Sequence, residues 1–536
     1  MQEKNTILEI PKKKTIEIPM YYDVWLDNGI VTLYSILKES ENNSFNVELS
    51  PDCLRININD FSKFKDTVAN AIKNRRSNLI VIEKDKKFKE KKEIKKDYIL
   101  IQEETKDKSV SPWRVVFKEG IYNEKTVNDV IEKIFDLITE EGYAACIICG
   151  RSFSKSIKKL QQASYPLVTK IKSLSGVRSY KNGKFYSLKE YFDNFCPICY
   201  LVGIIEWTDK GIIYRTMPGE KSILFLPQSD NLLELQRFKE TYHPLLNTNH
   251  RYHNIKVKRE SEETENTYGS FSTLLCFYEK FFSYIKRNDK VRNSWAMIDI
   301  PFGPVKNIKL NNIEISSSIL QIIKKLSEEK INIYKEIIES FLFFNDNPKG
   351  APINWELTGE IRENISEAIL TDNFRFFAKN LLPRKGGHVG VYLRDVMQKD
   401  VKKNLEELIY LWRLKNMGLN EKQLETIKSA GRTIAAASKS HRSLLYKLDK
   451  VKDKTDLLDA LRQISRKIAG LKPEEKKKYK GFIYSPALED TVSLIEQHER
   501  DEKFIEDLKN ILIIFSCVEF SRIEYLEEKK EGEENE

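Results

Sequence analysis

An α+β fold is predicted for this chain of 536 residues: an irregular α/β region at the N-terminus, then a helical region and a C-terminal helical bundle. Three observations indicate this order. Residues 45–60 alternate apolar and polar side chains, as a half-buried strand does. Residues 127–140 carry a strong helical repeat. Beyond about residue 270 the apolar residues recur mainly with helical spacing, and the long periodic segments after residue 385 are typical of a bundle.

The N-terminal elements follow from local patterns. The segment from Ile18 to Leu37 contains Gly29, which is expected to break the chain direction before a short helix. Strand periodicity over 45–60 is followed by a predicted helix over 62–76, and the helix over 127–140 leads directly into a cysteine pair. Further helices are predicted over 274–285, 317–343, 355–382, 405–412, 421–450, 457–469 and 491–526.

Breaks in these patterns suggest the domain organisation. We expect an α+β domain over 1–260, a mainly helical middle region over 270–385, a bundle over 390–526 and a disordered acidic tail over 527–536. No secretory signal is visible, and no apolar stretch reaches the ~18 residues that a membrane helix needs. The sequence therefore predicts a cytoplasmic protein without membrane contact.

Four of the seven cysteines form two C-x-x-C pairs, Cys146 with Cys149 and Cys196 with Cys199, separated by 46 residues. Two residues between cysteines let both sulfurs reach one metal ion from a tight turn, and four thiolates complete a tetrahedron around Zn²⁺. A redox dithiol would need one pair rather than two. Since four cysteines leave no open position, the zinc is predicted to be structural and to close a large loop.

The loop over 146–199 contains a segment, residues 151–189, with ten basic residues and no acidic one, which we call the acid-free segment. Cations meet phosphates and the interleaved aromatic rings can stack on bases, so the segment is predicted to bind nucleic acid. The alternative is a solvated basic loop. Candidate contacts, including a tight turn at 181–184, are Lys155, Lys158, Lys159, Lys170, Lys172, Arg178, Lys181, Asn182 and Lys184.

A second basic surface is predicted in the bundle. Residues 397–480 contain 22 Lys and Arg against 11 Asp and Glu, whereas 481–536 contain 6 against 16. Small residues in the long predicted helix allow close packing and push its charges outward, although an ordinary solvated face is the alternative. The candidate contacts here are Arg384, Lys385, Arg432, Lys439 and Arg442.

No catalytic centre is visible, so the chain is predicted not to be an enzyme. Gly219–Ser222 comes near a phosphate-binding loop but lacks its first glycine and has a glutamate before the lysine. The six histidines form no H-E-x-x-H motif, and no nuclease carboxylate cluster stands out.

Four features together resemble the CXXC–CXXC class of CRISPR-associated proteins, the large subunits of type I-B and related I-A Cascade complexes. They are the Trp25–Leu33 segment (WLDNGIVTL), the two cysteine pairs, the basic insert between them and the basic helical C-terminus. The first is the most family-like, and the specific motifs cover about a quarter of the chain.

The resemblance implies a non-catalytic subunit of an RNA-guided surveillance complex in antiviral defence. Its partners would be the 5′ handle of the guide RNA, the target double-stranded DNA with its displaced single strand, other Cascade subunits and a helicase–nuclease recruited in trans. Base pairing supplies most of the specificity, so this subunit would recognise the flanking motif and aid strand separation. By analogy with related systems, the bundle is also a candidate for separate translation from an internal start near Val391 or Met397.

Two alternative functions follow from the same residues. The first is a zinc-stabilised nuclease or RNA-processing enzyme, which would cleave nucleic acid in the presence of a divalent metal. The second is a protein-binding scaffold, whose basic faces would bind acidic proteins and show no salt-sensitive binding of DNA or RNA.

Overall fold

The computed structural model describes most of the chain. The described residues are 14–74, 124–157, 164–167, 178–181, 184–187, 194–209, 213–217, 221–246, 256–258, 263–265, 269–284, 294–301, 309–329, 333–346, 353–391 and 399–534. The chain divides into two compact units, each discontinuous in sequence. Unit 1 comprises Met1–Asn254 and Asp289–Glu314, and unit 2 comprises Ile255–Asn288 and Ile315–Glu536.

Among its described residues, unit 1 contains a three-stranded and a four-stranded antiparallel sheet, two short two-stranded pairs, β4 with β5 and β6 with β7, and several helices. Its elements are β1 (Lys14–Pro19), α1 (Val24–Glu39), β2 (Phe45–Leu49), β3 (Cys53–Ile58), α2 (Phe61–Asn74), α3 (Glu124–Ile138), β4 (Ala144–Ala145), β5 (Ser152–Phe153), β6 (Arg178–Lys181), β7 (Lys184–Ser187), α4 (Pro197–Ile205), β8 (Ile213–Met217), β9 (Lys221–Pro227), α5 (Leu232–Leu246), β12 (Ser294–Pro301) and β13 (Lys309–Glu314). Strands β1, β3 and β2 form one sheet in that order, and β13, β12, β9 and β8 form another. The strands and helices predicted over 45–60, 62–76 and 127–140 are confirmed.

The predicted role of Gly29 is wrong. Helix α1 begins after Asp23, which caps it by accepting from the backbone N–H groups of Trp25 and Leu26, and it runs through Gly29 without a break. A side chain at position 29 would place its Cβ 2.4 Å from the carbonyl oxygen of Val202 on α4. The glycine therefore permits close packing of two helices rather than a turn.

We expect Gly29→Ala to lower the free energy of unfolding by about 1–3 kcal/mol, because the added methyl group meets backbone rather than a flexible side chain. The midpoint of urea unfolding measures this change. Gly359→Ala is the matched control, since that glycine also lies inside a helix and its Cβ would meet nothing within 4 Å. The control should gain roughly 0.5–1 kcal/mol from helix propensity, and equal midpoints for the two variants would contradict the packing explanation.

Unit 2 is mainly helical. Its elements are β10 (Lys256–Lys258), β11 (Glu263–Glu265), α6 (Ser270–Tyr284), α7 (Ser317–Glu329), α8 (Ile333–Ser340), β14 (Phe341–Asn345), α9 (Trp355–Leu370), α10 (Phe374–Asn380), β15 (Gly387–Val391), α11 (Lys399–Trp412), α12 (Glu421–Ser440), α13 (Ser443–Asp449), α14 (Lys454–Ala469), α15 (Pro473–Lys478), α16 (Pro486–Gln497) and α17 (Glu502–Glu534). The mixed α/β character and the helical C-terminal region are thus as predicted.

Several predicted boundaries differ from the structure. The helix predicted over 317–343 ends in a strand, because β14 pairs with β15 in an antiparallel ladder. The helix predicted over 355–382 breaks at Asp372, which has a φ of 55° and accepts hydrogen bonds from the side chains of Trp412 and Arg413. Residues of the predicted middle region and of the predicted bundle both lie in unit 2, and their division into separate domains stays a prediction.

The predicted disordered tail over 527–536 also differs, because α17 continues to Glu534. Glutamate and lysine are good helix formers, so a charged composition alone does not end a helix. Glu527 is moreover held by Lys439, Lys478 and Tyr479, with atoms 2.8 to 2.9 Å apart. Among the helices that the structure describes, none combines the length and hydropathy needed to cross a bilayer.

Candidate metal centre

The first cysteine pair lies in the turn between β4 and β5. The backbone N–H of Cys146 donates to the carbonyl of Arg151 at 3.0 Å, and that of Gly150 donates to the carbonyl of Cys146 at 2.9 Å. Gly150 has a φ of +70°, a conformation that residues with a Cβ rarely adopt. This turn brings the sulfurs of Cys146 and Cys149 into one cluster.

The second pair sits at the N-terminus of α4. Cys196 is the N-cap residue and Pro197 follows at the first helical position, where its missing N–H has no consequence. The backbone N–H of Cys199 donates to Sγ of Cys196 at 3.4 Å, and the N–H of Cys196 donates to Sγ of Cys146 at 3.4 Å. Backbone donors and the positive end of a helix favour sulfur in its thiolate form, which is the form that binds metals.

All four sulfurs lie within 4.8 Å of one another. The Sγ atoms of Cys149 and Cys196 are 3.7 Å apart, which matches the edge of about 3.8 Å expected for four sulfurs at ~2.3 Å from a central ion. Cys146, Cys196 and Cys199 are buried, and Cys149 is half-buried. The arrangement is compatible with a structural metal site, because four sulfurs complete the coordination of a tetrahedral ion.

The electrostatics of the cluster favour a bound cation. Hydrogen bonds from the other three thiols lower the pKa of Cys146, whereas burial raises the pKa of Cys199. The pKa of Cys149 is also lowered, because the opposing effect of Cys146 is outweighed by hydrogen bonds from Cys196 and Cys199. Ionisation of the first pair is therefore favoured, whereas ionisation of Cys199 is opposed, since further negative sulfurs would share a space with little water. A divalent ion among the sulfurs reverses this balance because it supplies the positive charge that each thiolate needs.

Helix α4 is fixed against α1, which carries the Trp25–Leu33 segment. The indole N–H of Trp25 donates to the carbonyl of Gly203 at 3.0 Å, and the rings of Trp25 and Trp207 are 4.6 Å apart. A Cβ at Gly203 would lie 1.9 Å from the carbonyl oxygen of Ser164. The segment that most resembles the CRISPR family is thus the packing partner of the helix that carries two candidate ligands.

A buried ion network lies next to this helix pair and was not predicted from the sequence. The Nζ atom of Lys239 is 3.1 Å from Glu206 and 2.9 Å from Asp209, and it donates to Oγ1 of Thr32 at 3.0 Å and to the carbonyl of Asn28 at 3.1 Å. Burial alone would lower the pKa of Lys239, but the two carboxylates outweigh it and raise that pKa. Charged residues are common in this chain, and nothing in the local pattern marks these as buried.

No protein-family model matches the chain, and neither does any curated protein or solved structure. The resemblance to CRISPR large subunits therefore stays a prediction from sequence motifs.

The structure describes only part of the acid-free segment. Lys155 is exposed, and the guanidinium of Arg151 donates to the carbonyl of Glu17 at 2.8 Å. Strands β6 and β7 pair with Lys181 opposite Lys184, and the two residues of the predicted tight turn between them lie outside the described residues. Arg178 is the first residue of β6, opposite Ser187 of β7. The remaining predicted contacts, which lie outside the described residues, are Lys158, Lys159, Lys170, Lys172 and Asn182.

In the bundle, the structure places predicted phosphate ligands against the chain's own carboxylates. The Nζ atom of Lys439 lies 2.5 Å from Glu524 and 2.8 Å from Glu527, and its side chain is only 10% exposed. Arg442 makes a bidentate pair with Asp346, with distances of 2.6 and 2.7 Å. The charges of Lys439 and Arg442 are therefore paired with carboxylates of unit 2 and do not face outward towards a nucleic-acid strand.

The other candidates on this surface differ in exposure. Arg384 pairs with Glu360 at 3.0 Å, and Arg432 lies 3.9 Å from Glu519. Lys385 is exposed. The negative C-terminal helix, which the sequence shows as an excess of acids after residue 481, neutralises much of the basic face of α12. Nucleic-acid binding by this surface of the bundle stays a prediction, and fewer of its cations are exposed than the sequence indicated.

A more exposed basic surface lies on α14 and α15. Leu457, Leu461, Ile464 and Ile468 bury one face of α14, so the intervening cations point outward. Eight cations from 462 to 480 are exposed, and the acids in that stretch are Glu474 and Glu475. They are Arg462, Arg466, Lys467, Lys472, Lys476, Lys477, Lys478 and Lys480. The sequence could have identified this surface, because the helical period of the apolar residues over 457–469 places the intervening cations on the opposite, exposed face.

Proposed function

We propose that the chain is a non-catalytic nucleic-acid-binding protein in which one Zn²⁺ ion joins the two ends of the acid-free segment. We further propose that it acts as the large subunit of a type I CRISPR surveillance complex. The observation that carries this proposal is the convergence of four sulfurs from two pairs separated by 46 residues.

Zinc is the metal that the ligand set favours. Four cysteine sulfurs in a compact cluster suit a tetrahedral ion with soft ligands, and Zn²⁺ requires no redox partner or open coordination position. An ion in this cluster would hold the turn between β4 and β5 against the start of α4. The segment between the two cysteine pairs would then begin and end at the metal ion.

The composition of the acid-free segment supports nucleic acid as the ligand. The segment has ten cations and no carboxylate over 39 residues. A phosphate backbone lying along it would therefore meet no electrostatic repulsion from acidic side chains of the segment. The exposed cations of α14 and α15, with the half-exposed ring of Tyr484 nearby in sequence, provide a second surface of the same chemistry. Two such surfaces suit a subunit that holds a guide RNA and a displaced DNA strand.

We expect simultaneous replacement of Lys155, Lys158 and Lys159 by glutamine to weaken binding to single-stranded DNA or RNA. Each lost phosphate contact reduces the slope of log affinity against log salt by about 0.7 to 0.9. The slope should therefore fall by roughly 2, as measured by fluorescence anisotropy between 50 and 200 mM salt. The control replaces three other exposed lysines of unit 1, at positions 38, 63 and 309.

Three outcomes would contradict the proposal in different ways. An unchanged slope in the triple variant would remove these lysines from the interface. Cleavage of the nucleic acid in the presence of Mg²⁺ or Mn²⁺ would favour a nuclease or RNA-processing enzyme. Absence of any salt-dependent binding by the intact protein would favour a protein-binding scaffold. Co-purification with RNA of uniform length is expected for a member of a guide-RNA complex.

A further inference from the structure

The last turns of α17 carry acidic residues at a place where a helix favours basic ones. Residues 524–534, which we call the acidic end of α17, contain six glutamates and two lysines. No basic residue lies in the last turn of the helix. The aligned peptide dipoles leave negative charge at the C-terminus of a helix, and this charge repels carboxylates. The acids therefore do not stabilise this helix end by themselves, and cations from elsewhere must offset their repulsion.

Three cations of unit 2 lie against two of these glutamates. The Nζ atom of Lys439, near the end of α12, is 2.5 Å from Glu524 and 2.8 Å from Glu527. The Nζ atom of Lys478, at the end of α15, is 2.8 Å from Glu527, and Arg442 lies 3.9 Å from Glu524. Burial alone would raise the pKa of Glu527, but hydrogen bonds from Lys439 and Lys478 outweigh it and lower that pKa. The contact is thus one between full charges at neutral pH.

The apolar packing of α17 ends just before the acidic end. Phe520 and Ile523 are buried in a cluster that also contains Ala435 and Ala436 of α12. Beyond Ile523, the side chains that the structure describes are two partly exposed glutamates. Ion pairs with partly exposed partners contribute little net stability, because water and salt compete for both charges. The described side chains of the acidic end are therefore held by charge, and their release would expose none of this apolar cluster.

The cations under the acidic end continue into the exposed basic surface of α14 and α15. Lys476, Lys477 and Lys480 are exposed, and Lys478 lies between them in sequence while it pairs with Glu527. A nucleic-acid strand bound to these lysines would bring several phosphates close to the carboxylates of α17. Phosphates would then compete with those carboxylates for the same cations, and each cation gained would release further counterions from the strand.

We propose that the acidic end of α17 covers a phosphate-binding site formed by Lys439, Arg442 and Lys478, and that a single strand of nucleic acid displaces it. This inference rests on the proposed nucleic-acid function and describes how the basic surface of the bundle is regulated. The chain's own carboxylates set a threshold for binding. A long polyanion passes that threshold because it also binds the exposed lysines, whereas a mononucleotide does not.

Hydrogen exchange of the intact protein tests the displacement directly. Addition of a saturating single-stranded oligothymidylate of about 20 nucleotides should raise the exchange rate of the amides of residues 524–534 at least about threefold, because a helix end that has lost its compensating cations frays. The internal control is residues 508–520 of the same helix, which are buried and should keep their exchange rate. Unchanged or slower exchange at 524–534 while the oligonucleotide is bound would overturn the proposal.

A pair of isosteric substitutions tests the threshold. The variant with Glu524→Gln and Glu527→Gln should bind the same oligonucleotide at least about tenfold more tightly at 50 mM salt. Its slope of log affinity against log salt should be steeper by about 2, because each of three freed cations adds about 0.7 for a single strand. Adding Lys439→Gln should reduce the slope again by about 0.7. Fluorescence anisotropy measures both quantities, and circular dichroism checks that each variant is folded.

The matched control removes two exposed acids of α16 with Glu489→Gln and Glu496→Gln. It changes the net charge by the same amount and should keep the slope of the intact protein. Equal steepening in this control would assign the effect to net charge and overturn the proposal. Binding by the intact protein with the same affinity and slope in the Glu524 and Glu527 variant would overturn the cover alone and leave the proposed function standing. Absence of salt-dependent binding in both proteins would contradict the cover and the proposed function together.

Discussion

Replacing Cys196 with serine is expected to unfold unit 1, with a loss of more than about 4 kcal/mol of stability, because metal-binding free energy is folding free energy when the site does not exist in the unfolded chain. Cys196 has three roles in the structure. Its sulfur belongs to the cluster, its side chain accepts from the N–H of Cys199, and it is the N-cap of α4. Because α4 packs on α1, loss of the ion removes support from the main helix pair of the unit.

Two measurements check this result. Elemental mass spectrometry should find one zinc ion per chain in the intact protein and much less in Cys196→Ser. Urea unfolding should show a separate, early transition in the variant and in the intact protein treated with a chelator. The control is Cys53→Ser, because Cys53 is a half-buried cysteine of β3 outside the four-sulfur cluster. A stable, metal-free Cys196→Ser protein would remove the structural role, and one iron in place of zinc would correct the metal.

Lys239→Met should be the second most destabilising change, at about 3–5 kcal/mol near neutral pH. The substitution keeps the volume of the side chain but leaves Glu206 and Asp209 buried without their cation. Uncompensated buried charge costs more than the ion pair itself contributes. Urea unfolding measures the change, and adding Glu206→Gln to Lys239→Met should restore part of the stability because it removes one of the two unpaired carboxylates.

The size of this effect should depend on pH. Burial raises the pKa of Glu206 to about 7, and the charge of Lys239 opposes that shift. Without the lysine the pKa rises further, so the folded state holds a proton that the unfolded state releases near pH 4.5. Both proteins should lose stability as pH rises from about 4.5 towards 7, and the variant should continue to lose it above 7 because its Glu206 pKa is higher. The difference from the intact protein should therefore change little between pH 5 and 6 and grow above about pH 7.

A matched control is available in unit 2. Lys509 is also buried, but its Nζ donates to the carbonyl of Val451 and lies 3.9 Å from Glu506, whose side chain is half exposed. Lys509→Met should therefore cost much less and show little dependence on pH. Equal losses in the two variants, or a loss at position 239 that does not change with pH, would contradict the ion-network explanation.

The candidate metal site was predictable because its information is local in sequence. Each C-x-x-C pair identifies two ligands, and Gly150 and Pro197 mark the turns that hold them. The helices were predictable for the same reason, since Leu457, Leu461, Ile464 and Ile468 repeat with the helical period. The nature of the metal and the role of the acid-free segment stay predictions.

The features that were missed depend on contacts between distant residues. Gly29 packs against Val202, and Lys239 contacts Glu206 and Thr32. These residues are too far apart in sequence for a local pattern to predict the contacts. The sequence predicts that Lys439 is an exposed cation, whereas in the structure α17 places Glu524 beside it. Charge counts along the chain thus identified a basic and an acidic segment but not their mutual neutralisation.

The packing of β15 on α17 bears on any shorter product of the same gene. A polypeptide that starts at Met397 lacks the whole of β15, and one that starts at Val391 keeps only its last residue. Either would lose His388, whose ring lies 5.6 Å from that of Phe520, and Gly390, which lies directly against Ser521. Part of the inner face of the longest helix would then meet water. The separate bundle would then expose a hydrophobic strip along this helix, and association of two copies side by side would bury that strip again.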